Sequence, residues 1–269
     1  MLKIKGVKLR IIAISNHKGG TGKTTTCANL GVALTEMNKR VLAIDLDPQA
    51  SLSVSLGINT NSLEKTIYNA LLERGFKVEN AIIKARENLD LLPSNRELAA
   101  AEVILIQETG GELVLRKMLE KIQNSYDYIL IDCPPNLGKL TINALVASDE
   151  VIIPVSCSFL DIRALGQLLE TVETIKERLN PYLDICGILL TKFTTRTLHS
   201  LEVAKRVREI FKNKVFKTTI CNSVRFKEAP VRGETILEYV PTHKGAMQYR
   251  SLAKEVIKVG KKSTATKSK

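Results

Sequence analysis

Between Ile14 and Cys27 the chain reads Ser15-Asn16-His17-Lys18-Gly19-Gly20-Thr21-Gly22-Lys23-Thr24-Thr25-Thr26, and no other stretch restricts the fold as tightly. Ahead of it, Leu9-Arg10-Ile11-Ile12-Ala13-Ile14 is a short apolar, β-branched run with the pattern of a buried strand. Behind it, Cys27 to Lys39 carries Leu30, Leu34 and Met37 at helical spacing. A strand, a Gly-rich turn and a helix in that order form the setting of a phosphate-binding loop. Glycines let the backbone turn tightly and aim its N–H groups inward, and the helix N-terminus adds partial positive charge. The motif predicts a nucleotide held by Gly19, Gly20, Thr21, Gly22 and Thr25, with Lys23 at its β- and γ-phosphates and the Thr24 hydroxyl on Mg²⁺. Two details depart from the common pattern: His17 stands where its first glycine belongs, and a second lysine, Lys18, opens the loop.

The rest of the chain alternates in the same way. Arg40 to Asp45 reads as a second strand that opens into Leu46-Asp47-Pro48-Gln49; Pro48 ends it, which leaves Asp45 and Asp47 at its carboxyl end, the edge where open α/β sheets bind ligands. Leu63 to Glu73 reads as a helix, Asn88 to Leu92 as a short strand, Asn95 to Gln107 as an alanine-rich helix, and Glu112 to Gln123 as another after the Gly110-Gly111 break. Asp127-Tyr128-Ile129-Leu130-Ile131-Asp132-Cys133-Pro134-Pro135 runs four apolar residues into an aspartate and a strand-ending double proline. Glu150 to Val155, Leu183 to Thr191 and Val215 to Ile220 read as strands, separated by helices over Asp161 to Leu179 and Ser200 to Lys212. A closing helix over Lys244 to Val259 aligns Tyr249, Leu252, Ala253, Val256 and Ile257 on one stripe. These patterns predict one α/β domain over residues 1–259, a doubly wound, mostly parallel sheet with helices on both faces. Residues 260–269, all Gly, Lys, Ser, Thr and Ala, are expected to be a disordered basic tail.

Composition narrows the partners. Lys plus Arg is 40 against 28 Asp plus Glu, a formal net charge of +12, which points to a polyanion such as nucleic acid or an anionic membrane surface. Lys212, Lys214, Lys217, Arg225, Lys227, Arg232, Lys244 and Arg250 crowd the end of the chain. Arg225 and Lys227, then Lys244 and Arg250, are the candidate phosphate contacts to duplex DNA, without base readout because no recognition module accompanies them. The five cysteines form no C-x-x-C pair, which argues for reduced, buried thiols and against a metal cluster held by one chain. Met1 to Lys8 is basic with no apolar region after it, and no apolar run nears the roughly eighteen residues of a spanning helix, so a cytoplasmic protein is expected.

Lys18 to Thr25, Asp45-Leu46-Asp47-Pro48-Gln49 and Ile131-Asp132-Cys133-Pro134-Pro135 together resemble the ParA/Soj family of chromosome and plasmid partition ATPases, P-loop proteins of the deviant Walker A type. The resemblance continues through Val224-Arg225-Phe226-Lys227-Glu228-Ala229-Pro230 and Pro241 to Glu255, and the short stretch before the first strand is similar to the Soj-type form without an added helix-turn-helix domain. It implies an ATP-sandwich homodimer with Mg²⁺, in which Lys23 holds the phosphates of its own subunit and Lys18 crosses to the partner's nucleotide. It also implies that Asp132 contacts Mg²⁺, commonly through water. Asp47 is the candidate for orienting the attacking water, with Asp45 in support. Slow hydrolysis stimulated by a ParB/Spo0J-like centromere-binding protein, and non-specific binding of double-stranded DNA on the nucleoid by the ATP dimer, are implied in the same way. Two positions depart from the family pattern: His17 replaces a glutamine, and Cys221-Asn222-Ser223 replaces Pro-Arg-Asn, which removes a basic side chain. The alternatives are a MinD-like membrane-associated positioning ATPase, for which the tail lacks the large apolar residues of an anchor, and a metabolic enzyme on the same fold.

Overall fold

Eight strands, β1 (Arg10–Ile14), β2 (Val41–Asp45), β3 (Ile83–Arg86), β4 (Leu89–Leu92), β5 (Tyr128–Asp132), β6 (Glu150–Ser156), β7 (Asp184–Phe193) and β8 (Val215–Cys221), join one sheet in the order β3-β4-β2-β5-β1-β6-β7-β8. The computed structural model describes residues 9–158 and 162–266. Every neighbouring pair runs parallel except β3 with β4. The chain lays β2 to one side of β1, slips β5 between the two, and then places β6 on the other side of β1. The carboxyl ends of β1, β2 and β5 thereby meet at the reversal of strand order, where doubly wound sheets open a ligand crevice.

The apolar periodicity of β1 explains the layering. Ile12 and Ile14 face one core together with Leu30 and Leu34 of α1 (Lys23–Thr35) and Tyr249, Leu252 and Val256 of the closing helix. Ala13, one residue out of phase, faces the other core. That second layer is built from α3 (Ile67–Leu72), α4 (Leu98–Gln107), α5 (Val114–Leu119), α6 (Lys139–Ala147), α7 (Ile162–Arg178) and α8 (Leu198–Phe211). Short helices α2 (Ser51–Ser55), α9 (Arg225–Glu228) and α10 (Ile236–Tyr239) precede α11 (Lys244–Thr266). Strands β2, β5 and β6 are buried at every residue, as parallel strands covered on both faces must be.

The structure adds to the sequence reading in several places, the short helices α2, α9 and α10 among them. The edge strand β3 and helix α6 have no counterpart in it. β3 is only four residues of mixed polarity, joined to β4 through Asn88 in the left-handed region (φ 59°). The closing helix runs on to Thr266, seven residues into the segment expected to be a disordered tail. Extending a formed helix costs far less than starting one, and Lys-Lys-Ser-Thr-Ala-Thr contains no proline to stop it. The helix start expected at Asp161, the basic Met1 to Lys8 segment and residues 267–269 lie outside the described residues.

Helix α11 also closes the β8 edge. Glu255 accepts hydrogen bonds from the backbone N–H of Lys217 (2.9 Å) and Thr218 (2.8 Å), and Gln248 Oε1 accepts one from Cys221 N (2.9 Å). Farther along, Arg10 donates to the Val256 carbonyl (2.6 Å) and to the Glu150 carboxylate (2.8 Å), tying the helix to β1 and β6.

Candidate nucleotide site

The loop after β1 is shaped by its own polar atoms. Asn16 is buried; its amide donates to Pro154 O (2.6 Å) while its Oδ1 accepts from Lys18 N (3.0 Å). Gly20 (φ 71°) and Gly22 (φ 92°) both take left-handed backbone, which a side chain would strain, and Gly22 stands immediately before α1. The Lys23 ammonium folds back to donate to Lys18 O (3.2 Å), closing the loop on itself. From across the sheet, Thr191 Oγ1 donates to Thr21 O (2.7 Å). Lys18 is half-buried and lines a small cleft with Asn16, Thr21, Val155, Ser156 and Leu165. His17, Gly19 and Gly20 are exposed.

Two aspartates face this loop from the ends of adjacent strands. Asp45 and Asp132 are register partners on β2 and β5, and both are fully buried. Thr24 Oγ1 donates to Asp132 Oδ2 (2.7 Å), whereas Asp132 Oδ1 is buried with no hydrogen-bond partner among the described residues. Burial, reinforced by the nearby Asp45, pushes the Asp132 carboxyl well above the usual carboxylate range. Burial likewise raises Asp45 to about 6, against hydrogen bonds that favour its charge: Ser53 N and Oγ (both 2.7 Å) and Asp47 N (3.3 Å). Burial lowers Lys23 from the ordinary lysine value, opposed chiefly by Asp132. Asp47 is half-buried, and its Oδ1 accepts from Gln49 N (2.9 Å) at the turn into α2.

An orphaned carboxylate oxygen beside a threonine hydroxyl is a donor set of hard oxygens, the kind Mg²⁺ prefers, so Thr24 and Asp132 fit that ion. Asp45 and Asp47 close to Asp132 make its ionisation costly, a cost that a cation bound there would lift.

The structure thus gathers Lys18 through Thr25, Asp45, Asp47 and Asp132 at one crevice. It gives Asp45 a positioning place, since its oxygens hold the Asp47 backbone and the start of α2. Ser53 and Thr191, which fasten the acid loop and the phosphate loop, were not legible in the sequence: nothing in their spacing sets them apart from other strand-end and helix hydroxyls.

The basic candidates lie elsewhere. On α9, Phe226 packs edge-on against Tyr249 (5.9 Å between ring centroids) and His243 (6.4 Å), leaving Arg225 and Lys227 exposed on either side. A methyl group added to Gly245 would meet the Phe226 ring at 2.5 Å, so the glycine lets α11 start against α9 and brings exposed Lys244 into the same neighbourhood. Arg225 also donates to Glu228 (2.6 Å). Arg250 is the more tightly held: its guanidinium spans both Glu36 oxygens (2.6 and 2.8 Å) and donates to Pro241 O (2.6 Å), an anchor between α1 and α11.

Comparison with known proteins fits this arrangement. A family model described as an AAA domain matches residues 9–185. The sporulation initiation inhibitor protein Soj of Bacillus subtilis is 46% identical over 249 residues, 92% of this chain and 98% of Soj. The chromosome partitioning protein ParA of Caulobacter vibrioides is 42% identical over 251 residues, 93% of this chain and 94% of ParA. Among solved structures, cobyrinic acid a,c-diamide synthase from Mycobacterium smegmatis with bound ADP and magnesium is similar at a TM-score of 0.84 and 36% identity, covering 94% of this chain and 96% of that one. The phosphate loop, the paired strand-end aspartates and the end-to-end likeness to Soj and ParA lead to one conclusion: the chain belongs to the ParA/Soj family of chromosome-partitioning P-loop ATPases.

Proposed function

We propose that the chain is a cytoplasmic, nucleoid-associated ATPase whose ATP-bound homodimer binds double-stranded DNA without sequence preference and lets go on hydrolysis. The carrying observation is a packed connection between the two sites. Thr26, on the first turn of the phosphate-loop helix, hydrogen-bonds Tyr249 Oη (3.3 Å) in the core, and Tyr249 in turn packs edge-on against Phe226, which lies between Arg225 and Lys227. Asn29, one turn farther along α1, accepts from Ile236 N (2.8 Å) of the same C-terminal segment. A shift of α1 with nucleotide therefore has a direct mechanical route to the basic face.

At the nucleotide, Lys23 and the loop amides hold the β- and γ-phosphates, and Thr24 and Asp132 hold Mg²⁺. Bound there, the ion neutralises charge on the phosphate oxygens. Lys18 reaches the partner subunit's nucleotide, which makes dimerisation and phosphate binding one event. Asp47 orients water for attack on the γ-phosphorus, ADP departs, and the proton leaves with inorganic phosphate. Asp45 keeps the Asp47 turn in place. A ParB/Spo0J-like centromere-binding protein acts on the dimer to speed this step. The DNA face comprises Arg225, Lys227 and Lys244, with Arg250 beside them; no helix among the described residues is long and apolar enough to cross a membrane.

Duplex binding measured with ATP, with ADP and without nucleotide tests the proposal. Binding that appears only with ATP, on unrelated sequences alike, supports it. Equal affinity in all three states, or binding to anionic vesicles in place of DNA, overturns it.

A further inference from the structure

The carboxyl end of β7 does something a regular strand cannot. Successive side chains of a strand point to opposite faces, so if Thr191 reaches the phosphate loop, Lys192 should point away. Both reach it. Thr191 Oγ1 donates to Thr21 O (2.7 Å), and its side chain stands 3.7 Å from where a methyl group on Gly22 would be. The Lys192 ammonium lies 3.8 Å from where a methyl group on Gly20 would be. The alternation is broken in two ways that coincide at this residue. Lys192 takes left-handed backbone (φ 51°), uncommon outside glycine and asparagine. Between the pairs Leu190↔Thr219 and Phe193↔Cys221 the register slips, β7 advancing one residue more than β8. Such a bulge at a sheet rim re-aims a side chain, and backbone held in a sparsely populated region is worth its cost where it serves a site.

The side chain so aimed is a cation. Among the described residues no carboxylate pairs with Lys192, and it is exposed although it lies against the loop. The acids of the site surround Lys23 on the β2 and β5 side, whereas Lys192 enters from β7. We propose that Lys192 is a third nucleotide-binding lysine, whose ammonium contacts the phosphate chain of the bound nucleotide from the β7 side. It supplies an anion contact within the subunit, separate from the closing role of Lys23 and from the partner-facing role of Lys18. The proposal concerns nucleotide binding by one subunit and does not depend on the DNA reading.

The experiment is titration of the full-length protein with ATP, ADP, AMP and adenosine in Mg²⁺ buffer, without DNA. Three proteins are compared: the parent, Lys192→Asn and Lys192→Arg. Asparagine tolerates the left-handed backbone and removes the charge; arginine keeps the charge. Lys192→Asn is expected to bind ATP and ADP about tenfold more weakly, with a shallower dependence on salt, while Lys192→Arg stays near the parent. Melting temperature without nucleotide should be unchanged in both, since the side chain is exposed. Parental ATP and ADP affinity in Lys192→Asn overturns the proposal. So does an equal loss for adenosine, which would put the contact on the base or ribose, and so does an equal loss in Lys192→Arg, which would make the requirement one of shape and not of charge.

Discussion

The nucleotide crevice and the basic C-terminal face share one helix, α1, but are built by opposite means. The crevice is a backbone object: two left-handed glycines, a lysine folded onto a carbonyl and two buried aspartates in register. The basic face is a display of side chains, with Arg225 and Lys227 held out by the packing of Phe226 against Tyr249 and Gly245. A backbone object tolerates little change at any position, whereas a display tolerates loss of any one member. Substitutions should therefore act steeply at the crevice and gradually at the face.

The steepest test is Asp47→Ala, which should lower hydrolysis about 10²–10⁴-fold while ATP binding and the dimer persist, as read by phosphate release and light scattering. Turnover at the parental rate would remove Asp47 from its assigned place. Next, Lys23→Ala should weaken ATP binding about a hundredfold or more, whereas Lys18→Ala should keep binding and lose the ATP-dependent dimer. If Lys18→Ala dimerises like the parent, the crevice is complete within one subunit.

A pH titration separates the regions further. Folding raises Asp45 from its ordinary value of 3.8 to about 6, so the native state holds the proton more tightly than the unfolded chain. The corresponding stability is complete below about pH 4 and is lost as pH rises through about 6, roughly 3 kcal/mol by linkage. Asp132, raised in the same sense, acts in the same direction. Urea unfolding of nucleotide-free protein should show this slope, and Asp45→Asn should flatten it; a variant with the parental slope would assign the effect to other groups.

At the face itself, Gly245→Ala should cost about 1–3 kcal/mol because the new methyl group meets the Phe226 ring. It should also lower DNA affinity while leaving nucleotide affinity intact. Arg225→Ala should give the smallest effect, a loss of about tenfold or less on every sequence, with a shallower salt slope. The parent, if it neutralises roughly six to ten phosphates, should lose about 10³–10⁵ in affinity between 50 and 200 mM salt. An Arg225→Ala loss confined to one sequence would mean that the face reads bases.

What was legible in the sequence follows the same division. The parallel strands, the phosphate loop and the strand-end aspartates were read correctly because each imposes a local pattern: an apolar run, a glycine at a left-handed position, a proline stop. Strand β3 escaped because four residues at an edge carry no periodicity, and α6 because its apolar residues continue a stretch already dense in them. The hold of Glu36 on Arg250 escaped because charge alone does not show a partner far away in the chain. Lys192 was passed over for a similar reason: a bulge is a relation between two strands, and one strand's residues do not record it.

The seal that Glu255 and Gln248 place on β8 has a consequence for how such molecules assemble. An open parallel sheet ends in a ladder of unanswered amides, a standing invitation to growth by strand addition and to cross-β aggregation. Here one rim is answered by a carboxylate and an amide from α11, and the other is a four-residue strand bearing Lys84 and Arg86. Copies of this chain that meet at high local density are thereby denied the commonest route to irreversible clumping, and must meet through faces that can part again.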